Sequence, residues 1–174
     1  MSDSGRDNSS RYWLLLVVTV PLILVDQLTK FMVRASMSPG ESIPVFWRLQ
    51  LTYVQNTGSA FGLLVDQRIV LSIAGVLGVV VILLFYRFLL PSNRLALVAA
   101  SLVLAGAIGN LIDRFALGFV TDFIDVILWQ DQRGEYVHWP MFNIADSVIT
   151  VGSVILVYFF AFALRRIERN RKSC

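Results

Sequence analysis

Four apolar stretches, at about 12–33, 69–90, 95–112 and 147–164, are each of membrane length. The first, roughly 22 residues, reaches about 33 Å at about 1.5 Å per helical residue, against a hydrocarbon core of about 30 Å. The balance of the chain agrees with four spans. Of its 174 residues 56 % are hydrophobic and 16 % charged, and mean hydropathy is +0.69. Soluble domains carry about 45–50 % apolar and about 25 % charged residues. The composition argues against a water-soluble domain, excludes a disordered or collagen-like chain, and suits one domain.

The first stretch has a short apolar core after Arg6 and Arg11, as a secretory leader would. No small-residue cleavage site follows it; Asp26, Gln27, Leu28, Thr29 and Lys30 do, so it reads as a retained span. Four spans put both termini on one side. That side holds nine of the Lys and Arg residues: Arg6, Arg11, Arg87, Arg94, Arg165, Arg166, Arg169, Arg171 and Lys172. The other holds Lys30, Arg34, Arg48, Arg68, Arg114 and Arg133 over longer loops. The positive-inside rule therefore predicts cytoplasmic termini, and the basic balance implies contact with anionic lipid, not nucleic acid. The long connections lie outside. Residues 48–53 alternate polar with apolar, and the segments flanking 130–134 read as a hairpin with a five-residue loop. The expected architecture is four transmembrane helices with a small β platform at about 45–55 and 126–139 on the outer face. Trp47 and Trp129 are expected to anchor that platform at the interface.

Polar groups at the membrane boundary need a reason, since an ionisable side chain within a span costs about 2.5–3.5 kcal/mol. Asp26 and Lys30 stand four apart, the spacing of an ion pair closing a helix by snorkelling, or of a pair orienting a substrate group. Asn56, Thr57, Gly58, Ser59, Ala60 and Phe61 carry ordinary turn chemistry just before the second span. In the third span Ser101, Ala105 and Gly109 recur every fourth residue, which lets another helix approach closely. Asn110, Asp113 and Arg114 follow, with Asp113 and Arg114 expected to brace each other as an ion pair. Asp122 lies among apolar neighbours, and Asp146 stands where it could cap the fourth helix.

Two carboxylates held close cannot both ionise cheaply, so one keeps its proton and the pair titrates as a unit. The ionised partner can take a proton from water while the other donates to a carbonyl oxygen, which is acid–base peptide hydrolysis without a covalent intermediate. Asn110 and Asn143 could fix the carboxylates, and Arg114 could balance charge. Other chemistries have less support. The only cysteine, Cys174, excludes an internal disulfide framework or a thiolate metal cluster. The sole histidine, His138, has no nucleophile elbow beside it, and Lys30 is already matched with Asp26. Asp122, Asp125 and Asp146 are the oxygen donors that Mg²⁺ or Ca²⁺ prefers, so a metal site stays open. A coupled transporter is disfavoured, because no mid-span charge marks a path across.

Taken in order, DQLTK at 26–30, NTGSAF at 56–61, AGAIGNLIDR at 105–114, VTDF at 120–123 and FNIAD at 142–146 resemble the lipoprotein signal peptidase family. That family is also called signal peptidase II, or prolipoprotein signal peptidase. The resemblance implies a bacterial inner-membrane aspartyl endopeptidase. Its substrate would be a prolipoprotein, cleaved just before a cysteine that already bears diacylglycerol. It implies a catalytic pair at Asp122 and Asp146, supported by Asp26, Lys30, Asn56, Gly58, Asn110, Asp113, Arg114 and Asn143. It also implies a monomer among membrane lipids, with no metal or organic cofactor. The third motif begins Ala105-Gly106 where the family often has Gly-Gly, a small-for-small change. A non-enzymatic lipoprotein-binding or transport protein on the same scaffold is the competing expectation, and it would have little reason to keep both aspartates.

Overall fold

The computed structural model describes residues 3–58, 67–89 and 93–172. Ser59, Ala60 and Phe61 of the second motif, Leu90 of the second predicted span, residues 91–92 of the link after it, and Cys174 lie outside the described residues.

Among the described residues, four helices are long and apolar enough to cross a membrane. They are α1 (Asp3–Ser36), α2 (Gln67–Leu84), α3 (Arg94–Ala116) and α4 (Ile144–Lys172). A π-helical turn, Phe85–Leu89, continues α2. α3 is the central helix and packs on all three others. Its membrane-length window is 61 % buried, against 11 % for α2 and α4 and 17 % for α1. Small residues allow this. A Cβ on Gly106 would collide with the Ala145 carbonyl of α4, so α3 and α4 touch backbone to backbone there. Asn93 caps α3, its Oδ1 accepting from Leu95 N (3.0 Å) and Ala96 N (3.2 Å). At the far end Gly118, with φ +87°, releases the chain into the sheet.

The described strands form one antiparallel sheet in the order β1 (Ser42–Phe46), β2 (Leu49–Asn56), β3 (Val120–Gln130) and β4 (Tyr136–His138). The fold is thus a four-helix membrane protein carrying a small β platform. The platform differs in extent from expectation. β3 starts at Val120, six residues before the predicted 126, because Val120–Phe123 are all buried and show no two-residue alternation. β1 reaches back to Ser42, in a stretch that is exposed throughout and whose register shifts after Pro44. The β3–β4 loop is five residues long, but it spans 131–135 rather than 130–134. Asp131 Oδ1 closes it by accepting from Arg133 N (2.8 Å) and Glu135 N (2.9 Å). Trp47 is 84 % exposed and Trp129 57 %.

Two apolar clusters bracket the bundle. Val33, Met37, Tyr53 and Phe123 seat the sheet on the end of α1. At the opposite end Tyr86 packs on Ala96, Leu97 and Ala100. Its hydroxyl donates to Arg11 O (2.5 Å), and Arg11 Nη2 donates to Tyr86 O (2.7 Å), tying α1 to the end of α2.

Candidate active site

The described parts of the polar motifs converge where α1, α3 and α4 meet β2 and β3. At the start of α4, Asn143 stands one residue before the first helical turn and accepts at Oδ1 from Asp146 N (3.0 Å). Asp146 Oδ2 accepts in return from Asn143 N (3.3 Å). This reciprocal pattern is a capping box. The cap is Asn143, so the expectation that Asp146 itself caps the helix is corrected: Asp146 is the third residue of the box, and its other oxygen is left for the site.

That oxygen, Oδ1, accepts from Asn110 Nδ2 of α3 (2.8 Å). Asn143 Nδ2 donates to Asp122 Oδ1 (2.7 Å) and leans toward Asn110 Oδ1 (3.3 Å). Asn56 Nδ2, at the end of β2, donates to Asp122 Oδ2 (2.8 Å). Gly58, with φ +82°, turns the chain so that its N–H donates to Asn56 Oδ1 (2.9 Å), which leaves the Asn56 amide aimed at Asp122. Asp122 and Asp146 are therefore bridged by two neutral amides, Asn143 and Asn110. Asp122 is buried, and that burial pushes its carboxyl up to about 6; the Asn56 hydrogen bond pulls it down and the charge of Asp146 pushes it up again.

A second set of acids lies beside the first and is bonded differently. Lys30 Nζ is fully buried and contacts Asp26 Oδ2 (2.9 Å) and Asp113 Oδ2 (3.5 Å). It also donates to Asn110 Oδ1 (2.9 Å). A lysine only donates, so this bond fixes which end of the Asn110 amide faces Asp146. The Asp26–Lys30 pair does not snorkel to solvent, as a pair closing a helix would. Asp26 Oδ1 accepts from Ala145 N of α4 (2.9 Å), and the approach is open because residue 109 is Gly. Asp113 is likewise corrected. Its partners are Lys30, Arg34 Nη1 (3.6 Å) and Thr121 N (2.9 Å), not its neighbour Arg114. Arg114 instead lines a cavity of about 340 Å³ between α2 and α3, with Ile69, Ile73, Val76 and Phe115, and its charge acts without direct contact on Asp146 and Asp122, as the charge-balancing expectation has it.

The comparisons with known proteins bear on this arrangement. The family model described as "Signal peptidase (SPase) II" matches residues 18–162. The chain belongs to the signal peptidase II family. It is 40 % identical over 144 residues to the lipoprotein signal peptidase of Moorella thermoacetica, covering 82 % of this chain and 89 % of that one. It is 43 % identical over 142 residues to the one from Dehalococcoides mccartyi, covering 79 % and 82 %. Two solved structures, each described as a bacterial membrane enzyme, share the fold. One has TM-score 0.75 and 31 % identity, covering 84 % of this chain and 91 % of its own. The other has TM-score 0.72 and 32 % identity, covering 90 % of each.

Within this signal peptidase II fold, nine of the ten sequence-nominated residues join one network; Arg114 stands beside it. Two contributors escaped the sequence reading. Gln27 Nε2 bonds Gly109 O (3.0 Å) and Asp26 Oδ2 (3.1 Å), and Arg34 bonds Thr121 Oγ1 (2.9 Å). Arg34 follows Lys30 by four residues, so extending the helical face by one turn would have found it. Asp125 does not join Asp122 and Asp146. It is held on the sheet by Gln50, Thr52 and His138, so the three carboxylates weighed as a cation site are not brought together.

Proposed function

We propose that the protein removes the signal peptide from diacylglyceryl-modified prolipoproteins, as a metal-free aspartyl endopeptidase in which Asp122 and Asp146 act together on water. One observation carries this reading. Of the acids gathered at this end of the bundle, these two are held by neutral amides, while Asp26 and Asp113 are matched by Lys30. A carboxylate committed to a buried cation is a poor proton carrier; Asp122, held by amides in a buried pocket, keeps its proton to about pH 6.

The roles follow from the protonation. Asp146, as carboxylate, takes a proton from water as the oxygen attacks the scissile carbonyl carbon. Asp122, protonated below about pH 6, donates to the carbonyl oxygen, giving a gem-diol. One gem-diol hydroxyl returns its proton to Asp122 as the C–N bond breaks, and Asp146 gives its proton to the departing amine. The products are the carboxyl end of the signal peptide and the free amine of the lipidated cysteine. Water is consumed and both aspartates are restored, with no covalent enzyme intermediate. The whole chain acts as one integral-membrane peptidase domain, a monomer in the bacterial inner membrane with both termini cytoplasmic. The site then faces outward, and the substrate's acyl chains stay in the bilayer beside the apolar cavity of α2 and α3. Trp47 and Trp129 rest the platform on the lipid surface.

The test is cleavage of a diacylglyceryl-modified prolipoprotein by purified protein in detergent, with EDTA present. Wild type cleaves, and Asp122→Asn and Asp146→Asn each lose at least about 10²-fold to 10⁴-fold in rate. Loss of wild-type cleavage on adding EDTA would point to a metal site instead. No cleavage by folded wild type would favour the binding scaffold.

A further inference from the structure

A second buried carboxylate network lies in the sheet. Asp125 of β3 is fully buried. Its Oδ2 accepts from Gln50 Nε2 (2.6 Å) and Thr52 Oγ1 (2.7 Å) of β2, and its Oδ1 contacts His138 Nδ1 of β4 (2.7 Å). Thr52 Oγ1 in turn meets Ser42 Oγ of β1 (2.9 Å). One carboxylate thus ties together all four described strands, and nothing in the proposed chemistry uses it.

Its position along the strand gives it a use. Asp125 pairs with Gln50 and Asp122 with Val54, and the β2–β3 register shifts between Leu51 and Val54, between those two pairs. Where the register shifts, the ladder on one side does not by itself set the alignment on the other, so side-chain contacts have to hold it; a one-residue slip would turn every side chain to the other face. Such a slip would carry Asp122 away from Asn56 and Asn143. The β3–β4 register shifts as well, between Ile127 and Trp129, next to the His138 pairing. The Asp125 network is therefore anchored between the two irregularities of the strand that carries Asp122. Burial raises the Asp125 carboxyl, but the donors Gln50, Thr52 and His138 outweigh it and hold the group below its ordinary value, as a charged anchor requires.

We infer that Asp125, clamped by Gln50, Thr52 and His138, is a positioning residue that fixes the register of β3 and so places Asp122 for catalysis. The inference rests on the assignment of Asp122 as catalytic. Displacement of a reacting group by about 1 Å can cost about 10²-fold in rate, so a loosened register is read in kcat. An Asn at 125 can still accept from Gln50 and Thr52 through its oxygen, and its amide can donate to His138 Nδ1 once the neutral imidazole carries its hydrogen on Nε2.

The experiment measures kcat, KM and the pH profile for Asp125→Ala, Asp125→Asn and His138→Ala in detergent, with Asp122→Asn as the control. Asp125→Ala lowers kcat by about tenfold or more with KM unchanged and shifts the pH profile. Asp125→Asn restores kcat to within about threefold and restores the profile, and His138→Ala falls between them. Asp125→Ala within about twofold of wild type, or Asn no better than Ala, overturns the inference. If Asp125→Ala does not fold, His138→Ala decides: an unchanged kcat overturns the inference, a lowered kcat with unchanged KM upholds it. An active Asp122→Asn control would instead sink the catalytic assignment, so the two failures are distinguishable.

Discussion

Asp26 and Asp113 are buried against Lys30, with Arg34 reaching Asp113 from the side, whereas Asp122 and Asp146 are held by the amides of Asn56, Asn110 and Asn143. The two sets are joined through Asn110, whose oxygen takes the lysine and whose amide takes Asp146. The contrast is one of solvation. Carboxylates bonded directly to a buried ammonium hold helices together; Asp122 and Asp146 are bonded by amides, and the charges of Lys30 and Arg114 act on them only from a distance. The ion-paired set spans α1, α3 and, through Ala145 N, α4, so it also sets where the amide set stands.

The largest effect should come from removing the shared cation. Lys30→Met leaves Asp26 and Asp113 buried without their partner, at about 3–5 kcal/mol, and should sharply lower the yield and melting temperature of folded protein. A variant that melts like wild type would show that the ion-paired set is not structural.

The next effect is a pH dependence confined to the amide-held set. Asp122 keeps its proton to about 6 when folded, above its ordinary value of 3.8. Below about pH 4 both folded and unfolded chains are protonated there and nothing is lost. Between about pH 4 and 6 the unfolded chain releases the proton first, so stability contributed by Asp122 falls as pH rises. Asp122→Asn lacks this loss. Its melting temperature relative to wild type should therefore climb over that window and level off above it; a constant difference would contradict the assigned environment. By the same proton, kcat/KM should decline as pH rises through and above about 6.

The smallest effect is at the edge of the ion-paired set. Arg34 is 22 % exposed and 3.6 Å from Asp113, so Arg34→Ala should cost about 0.2–1 kcal/mol by thermal unfolding and leave the cleavage pH profile in place.

The four spans were legible because apolar runs of that length have one use, and their ends moved only where polar residues continue the helix, as at Ser36 and Ala116. The start of β3 was not legible. Thr121, Asp122 and Phe123 are buried without alternation, and the sequence offers no period to read. β1 was missed for the opposite reason, since an edge strand exposed at every residue shows no burial pattern at all. At the site, residue types and motif order named residues that the fold brings together, but partners did not follow from adjacency. Asp113 sits beside Arg114 in sequence yet bonds Lys30 and Arg34, about eighty residues away, because helix packing rather than chain proximity chooses buried partners.

The most direct test of the difference between the two sets is cleavage of a diacylglyceryl-modified prolipoprotein by Asp122→Asn, in a preparation whose melting is recorded on the same sample at pH 7. The account predicts a protein that still melts cooperatively as a folded protein, though one of the two amide bonds at 122 is lost, and that cleaves at least about 10²-fold more slowly. A folded variant that still cleaves, or one that is inactive only because it has unfolded, would contradict it.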